Sequence, residues 1–253
     1  MTRGRGGLLA AFACAAAVAG CTGAARTALR EDPSQVLLDR AIAQAGGAEA
    51  LERARALAWQ GDAAIHDGER TIRIAGTWGV QPPDTAVVAT YDVTRGEAST
   101  RAMVVAAPRG WIIMPGAQPR PMPDAMLANE RDQFYLYEVI RLVPLRDPRV
   151  TLTALPPDSA GRPGTRAEQP GRPRVDLYFD PAGRLVRLRT EVADPEGGPA
   201  VRQDVWLSGV MEAGGVRWPA ELRITQDGAP YFTLSMRNLR VLPRLDDPRL
   251  RGP

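Results

Sequence analysis

Residues 57–78 read LAWQGDAAIHDGERTIRIAGTW, and the period of their apolar positions decides the fold. Leu57, Trp59, Ala63 and Ile65 alternate with Gln60, Asp62 and His66. After the polar loop Asp67-Gly68-Glu69, Ile72, Ile74 and Trp78 alternate with Thr71, Arg73 and Thr77. Successive side chains of a strand point to opposite faces, so each run is a strand with one apolar face.

The same pattern continues on both sides. It predicts strands over Thr85–Thr94, Ser99–Ala107 and Gly110–Met114, then over Val150–Leu155, Arg174–Phe179, Arg184–Val192, Val201–Val210, Val216–Gln226 and Pro230–Leu242. Asp180-Pro181-Ala182-Gly183 and Glu212-Ala213-Gly214-Gly215 are hairpin turns. Strands of this kind joined by tight turns make a large antiparallel sheet that curls to cover its own apolar face.

Before the sheet, Asp32 is an N-cap, Pro33 suits the first helical position and Gln35 completes a capping-box spacing. Leu37, Leu38, Ala41, Ile42 and Ala45 give that helix one apolar face, and Gly46-Gly47 ends it. A second short helix spans Ala48–Ala56. One later segment breaks the alternation. Asp124–Val143 reads as a helix with a polar first half and an almost wholly apolar second half, ended by Pro144; a strand over Gln133–Val143 is the alternative. A helix that apolar must plug something, and the curled sheet offers the concave face. Residues 156–173, rich in Pro, Gly and Arg and without a period, read as a mobile loop.

The N-terminus has the three parts of an export signal. Arg3 and Arg5 supply the positive start, Leu8–Val18 is apolar but too short to span a bilayer, and Val18-Ala19-Gly20-Cys21 puts small residues before a cysteine. This resembles the lipobox of bacterial lipoproteins, in which the cysteine is acylated and becomes the new N-terminus. The chain then divides into a leader (1–20), the lipidated Cys21 with its tether (21–33) and one domain (34–253). Cys14 leaves with the leader, so no disulfide can form and the core alone must hold the domain. Thr22 after the cysteine implies, through the same resemblance, an outer-membrane address facing the periplasm. Cleavage without acylation is the other reading of the leader.

Every basic side chain is Arg, and without Arg3 and Arg5 the chain is within one charge of neutral. Neither excess nor clustering of charge supports nucleic-acid binding; the basic run Arg162–Arg174 is diluted by Pro and Gly and carries no aromatic residue. His66 is the single histidine and sits among charged loop residues, which leaves a soft-metal site or a Ser–His–acid triad without material. Asp92, Asp176 and Asp204 fall at polar strand positions and read as solvated. Gly161 and Gly164 precede no helix and make no phosphate loop. No cofactor, metal or catalytic group is expected.

The order of the pieces resembles the LolA-like and LolB-like group of lipoprotein-carrier and lipid-binding proteins. The residues that carry the resemblance are Ala45-Gly46-Gly47 followed by Ala50-Leu51 and Gly61, then Gly110-Trp111 and the mid-chain helix. Tyr178-Phe179-Asp180 before a hairpin, Gly215-Val216-Arg217-Trp218-Pro219 and the ending Asp246–Pro253 complete it, over roughly residues 35–253. The resemblance implies an α+β, mainly antiparallel protein: an unclosed half-barrel wrapped around helices, with an apolar cavity for acyl chains. The inner face is then expected to include Ile74, Trp78, Trp111 and Ile113, with Met122, Met126, Phe134 and Ile140 from the helical lid, whose movement would admit or release cargo. Flexible Met side chains suit irregular acyl chains. A packed core has the same sequence signature as a lipid cavity. Two functions therefore stand side by side: capture of a lipid or acylated protein by a membrane-anchored carrier, and a non-catalytic envelope scaffold with its core filled.

Overall fold

A computed structural model describes residues 32–193 and 198–252. Three helices precede or interrupt the strands: α1 (Pro33–Gln44), α2 (Ala48–Arg53) and α3 (Asp124–Ile140). The strands before α3 are β1 (Ala56–Asp67), β2 (Arg70–Gln81), β3 (Thr85–Asp92), β4 (Arg101–Ala106), β5 (Arg109–Ile113) and β6 (Arg120–Pro121). Those after it are β7 (Thr151–Leu155), β8 (Gly164–Glu168), β9 (Val175–Phe179), β10 (Leu185–Val192), β11 (Val201–Ser208), β12 (Met211–Ala213), β13 (Val216–Trp218), β14 (Glu221–Gln226) and β15 (Ala229–Leu242).

Thirteen of these strands make one antiparallel sheet in the order β6-β5-β4-β3-β2-β1-β15-β14-β11-β10-β9-β8-β7. The two halves of the chain meet where β1 pairs with β15, and the outermost strands β6 and β7 do not pair, so the barrel stays open. Register shifts at Ala58/Gln60 in β1, Leu185/Arg187 in β10 and Ile224/Thr225 in β14 add the local bends that curl so wide a sheet.

The helices fill the concave side. In α1 the Asp32 carboxylate accepts the Ser34 N–H at 2.8 Å and Pro33 opens the helix, as the capping signals predict. The reciprocal bond of a capping box is replaced: Gln35 donates to Asp39 at 2.9 Å instead of reaching back. Gly46 follows at φ +114°, and a Cβ there would lie 2.1 Å from the Gly215 carbonyl oxygen, so the β12–β13 hairpin can close on the end of α1 only over a glycine. The Arg217 N–H donates to the Ala45 carbonyl at 2.9 Å across the same junction.

The long mid-chain segment is helical, not a strand. Phe134, Tyr135, Leu136, Val139 and Ile140 are buried, and Leu142 at φ +63° breaks the chain before Pro144. The core is one continuous cluster joining α1, α2 and α3 to the concave face of the sheet. A smaller cluster of Val87, Val104 and Trp111 lies on the convex face, where Ile113, Leu245 and Leu250 cover it. The C-terminal segment thus turns back over the outside of β2–β5.

Three expectations from the sequence are corrected. Residues 156–173 are not all loop: β8 lies within them, with Thr165 and Ala167 buried and Arg166 facing outward to an ion pair with Asp176 at 2.7 Å. Residues 216–226 are two strands in two sheets, because Pro219 interrupts them. Asp176 and Asp204 are not solvated. Asp204 is buried on the convex face between Arg187 and Arg189, which donate to it at 2.9 Å each, and Arg187 lies over the Trp206 ring at 4.6 Å.

Candidate functional site

Beneath α3 the concave face leaves a cavity of about 330 Å³, within the roughly 300–1,000 Å³ typical of small-molecule sites. Its floor is the sheet: Ile74 and Trp78 of β2, Met103 of β4, Ile112 of β5 and Phe232 of β15. Its roof is one stripe of α3, in which Met126, Glu130, Phe134 and Tyr137 follow at helical spacing and Ile140 closes the far end. A second, wider cleft of about 560 Å³ begins beyond Ile140, and its wall includes Arg184, Glu212 and Arg217. Ile140 borders both spaces.

The aromatic groups above the cavity hold the helix in place. The Tyr137 ring lies 5.4 Å from Trp59, 6.1 Å from Phe134 and 6.5 Å from Trp218, so it packs between β1, its own helix and the β12–β13 hairpin. Polar groups hold it from the sides. Gln203 of β11 donates to Gln133 at 2.9 Å and accepts from Gln226 of β14 at 3.1 Å. Arg131 of α3 and Arg172 of the β8–β9 connection both pair with Asp84 of the β2–β3 loop, at 2.8 and 2.9 Å. Burial raises the Asp84 carboxyl, but the hydrogen bonds and charges of Arg172 and Arg131 outweigh it and keep the group below the usual carboxylate range.

Five residues expected to face the ligand do line the cavity: Ile74, Trp78, Met126, Phe134 and Ile140. Met122 is buried in the core and lies beside Gly110, outside the cavity wall. Trp111 and Ile113 are on the convex face under the C-terminal segment, and their neighbour Ile112 takes the inward place. One step of register along β5 exchanges the faces. Cys21 lies outside the described residues.

The sequence reading missed Glu130. It lies on the cavity wall four residues from both Met126 and Phe134, a spacing that puts all three on one helix face. Burial pushes its carboxyl up to about 7. Tyr137 and Tyr231, which also line the cavity, have their hydroxyls raised by burial and further by the Glu130 charge. Arg101 is the other charged residue of the wall, and neither it nor Glu130 makes an ion pair among the described residues.

His66 is half-buried with Nδ1 3.3 Å from the Thr71 hydroxyl, away from the cavity. Among the described residues no three His, Cys, Asp or Glu side chains gather as a metal site, and no helix is long and apolar enough to cross a membrane.

No protein-family model and no curated protein matches the sequence. Solved structures do match the fold. A LolA superfamily protein from Nitrosomonas europaea is 10% identical, with 86% of this chain and 96% of that one covered at a TM-score of 0.54. A DUF1329 family protein from Desulfovibrio piger is also 10% identical, at 87% and 97% coverage and a TM-score of 0.51. A domain from Vibrio parahaemolyticus described as an outer-membrane lipoprotein-sorting protein is 11% identical, at 84% and 95% coverage and a TM-score of 0.51. With its open antiparallel sheet curled around α3, the chain has the LolA-like fold.

Proposed function

We propose that this protein is a lipid-anchored envelope protein, facing the periplasm from the outer membrane, that captures an acyl chain of a lipid or lipoprotein in the cavity beneath α3. The observation that carries the reading is the cavity itself: about 330 Å³ of open space, walled by Ile74, Trp78, Met126 and Phe134, in a half-barrel of the LolA-like fold. Each methylene moved from water into such a space contributes about 0.8 kcal/mol, which is enough to hold a chain without any bond being made or broken. The Vibrio parahaemolyticus domain described as lipoprotein-sorting supports the same reading by its fold. The anchor rests on the Val18–Cys21 motif, and acyl groups on Cys21 would keep the cavity at a membrane surface.

Native mass spectrometry of the full-length protein purified from membranes separates the two parts. Covalent acyl mass is expected on the wild type and absent from Cys21→Ser, while a non-covalent lipid accompanies both. A protein that carries no lipid and refuses fluorescent fatty-acyl probes would replace the carrier with a scaffold whose sheet only supports a core.

A further inference from the structure

Glu130 stands out because the cavity has no internal use for it. Its carboxyl replaces an apolar side chain on the stripe Met126–Phe134–Tyr137, so it costs hydrophobic contact with the sheet. Glu130 is half-buried, and no described cation lies within ion-pair distance of its carboxyl to offset the lost hydration. The groups that face it are few. Tyr137 comes from its own helix, Tyr231 from β15 and Arg101 from the exposed start of β4; Asn129, Gln133 and Thr90 are polar but uncharged. Every other strand of the floor presents apolar side chains there, among them Ile65, Ile112, Val205 and Ile224. Arg101 makes no ion pair with it and does not perturb its carboxyl, and Gln133 is already engaged with Gln203.

We propose that Glu130 is the head-group selector of the cavity, and that the ligand is a single-chain amphiphile whose apolar tail ends in a primary ammonium. This rests on the cavity being the ligand site. The tail occupies the space between Trp78 and Phe134, and the ammonium supplies the positive partner that the fold omits beside Glu130. Tyr231, 41% exposed at the edge of the wall, and Asn129 provide hydrogen-bond acceptors for the remaining ammonium protons.

Ligand charge then couples to pH in a fixed direction. Near neutrality the Glu130 carboxyl passes from its uncharged to its charged form as pH rises. Tyr137 and Tyr231, whose hydroxyls burial pushes up, stay protonated over that range, so the change of charge in the cavity is that of Glu130. A cationic head gains affinity as pH rises and an anionic head loses it. An uncharged head is indifferent.

Displacement of the uncharged fluorophore N-phenylnaphthylamine from the full-length Cys21→Ser protein, which has no acyl group of its own to compete, measures this directly. Three ligands of equal chain length are compared: dodecylammonium, dodecanol and dodecyl sulfonate. Between about pH 5.5 and about pH 8.5 the ammonium is expected to bind about tenfold tighter, the sulfonate about tenfold weaker and the alcohol within about twofold. In Glu130→Gln, which keeps the shape, all three lines become flat. If the three ligands bind alike at both pH values in the wild type, or the pH dependence survives in Glu130→Gln, the assignment of Glu130 fails and the cavity remains a binding site. If none displaces the fluorophore, the cavity reading fails together with it.

Discussion

Ile112→Arg is expected to weaken uptake of an apolar probe by a factor of a hundred or more, on the order of 3 kcal/mol, while Ile113→Arg leaves it within about twofold. The residues are adjacent on β5, and both are half-buried. Their side chains leave the strand on opposite faces. Ile112 points into the cavity, where a guanidinium would occupy the space of the chain and lose its water. Ile113 packs against the small cluster under Leu245 and Leu250, from which an arginine can reach solvent. Probe titration of the two variants, with circular dichroism to show that each is folded, reads the difference. Equal losses would place the binding surface elsewhere than the concave face.

Trp59→Ala carries the largest expected loss of stability, about 3–5 kcal/mol out of the 5–15 kcal/mol usual for a domain. Trp59 is 2% exposed on β1, where the two halves of the sheet join, and its ring supports Tyr137 of α3. Removing it leaves a void between sheet and helix that the fixed strands on either side, β2 and β15, cannot collapse to fill. Urea unfolding should show the midpoint falling with the slope unchanged. A loss under about 1 kcal/mol would mean that α3 is not packed against the sheet as described.

Both predictions turn on what the sequence made legible. The sheet was legible because the alternation in Leu57–Trp78 carries phase as well as period: Gln60, Asp62, Arg73 and Thr77 are exposed, whereas Trp59, Ala63, Ile74 and Trp78 are buried. On β5 the period survives but the phase does not. Gly110-Trp111-Ile112-Ile113 is apolar on both faces, since α3 covers one side and the C-terminal segment the other, and only the fold decides which residue faces in. β8 was hidden for a different reason. It is five residues long between Pro163 and Gln169, too short for a period to emerge from its Pro- and Gly-rich surroundings.

The cavity was legible in part. Ile74, Trp78, Met126, Phe134 and Ile140 were recognisable as apolar residues in the right elements. Their separation into wall and core depends on gaps in packing that leave no mark on residue type, as Met122 shows by falling into the core. Glu130 was overlooked because a carboxylate in the first half of α3 looks like its solvent face. Its spacing from Met126 and Phe134 was the available signal. Asp176 and Asp204 looked solvated because the arginines that bury them come from neighbouring strands, β8 for the first and β10 for the second.

Of all measurements, nuclear Overhauser contacts between a bound acyl chain and the methionine methyl groups test the central claim most directly. Met103 and Met126 line the cavity from opposite sides, whereas Met114 is exposed beyond the end of β5. Contacts from the chain methylenes to Met103 and Met126 but not to Met114 are expected. Contacts confined to Met114, or none to the two cavity methionines at saturating ligand, would contradict capture beneath α3.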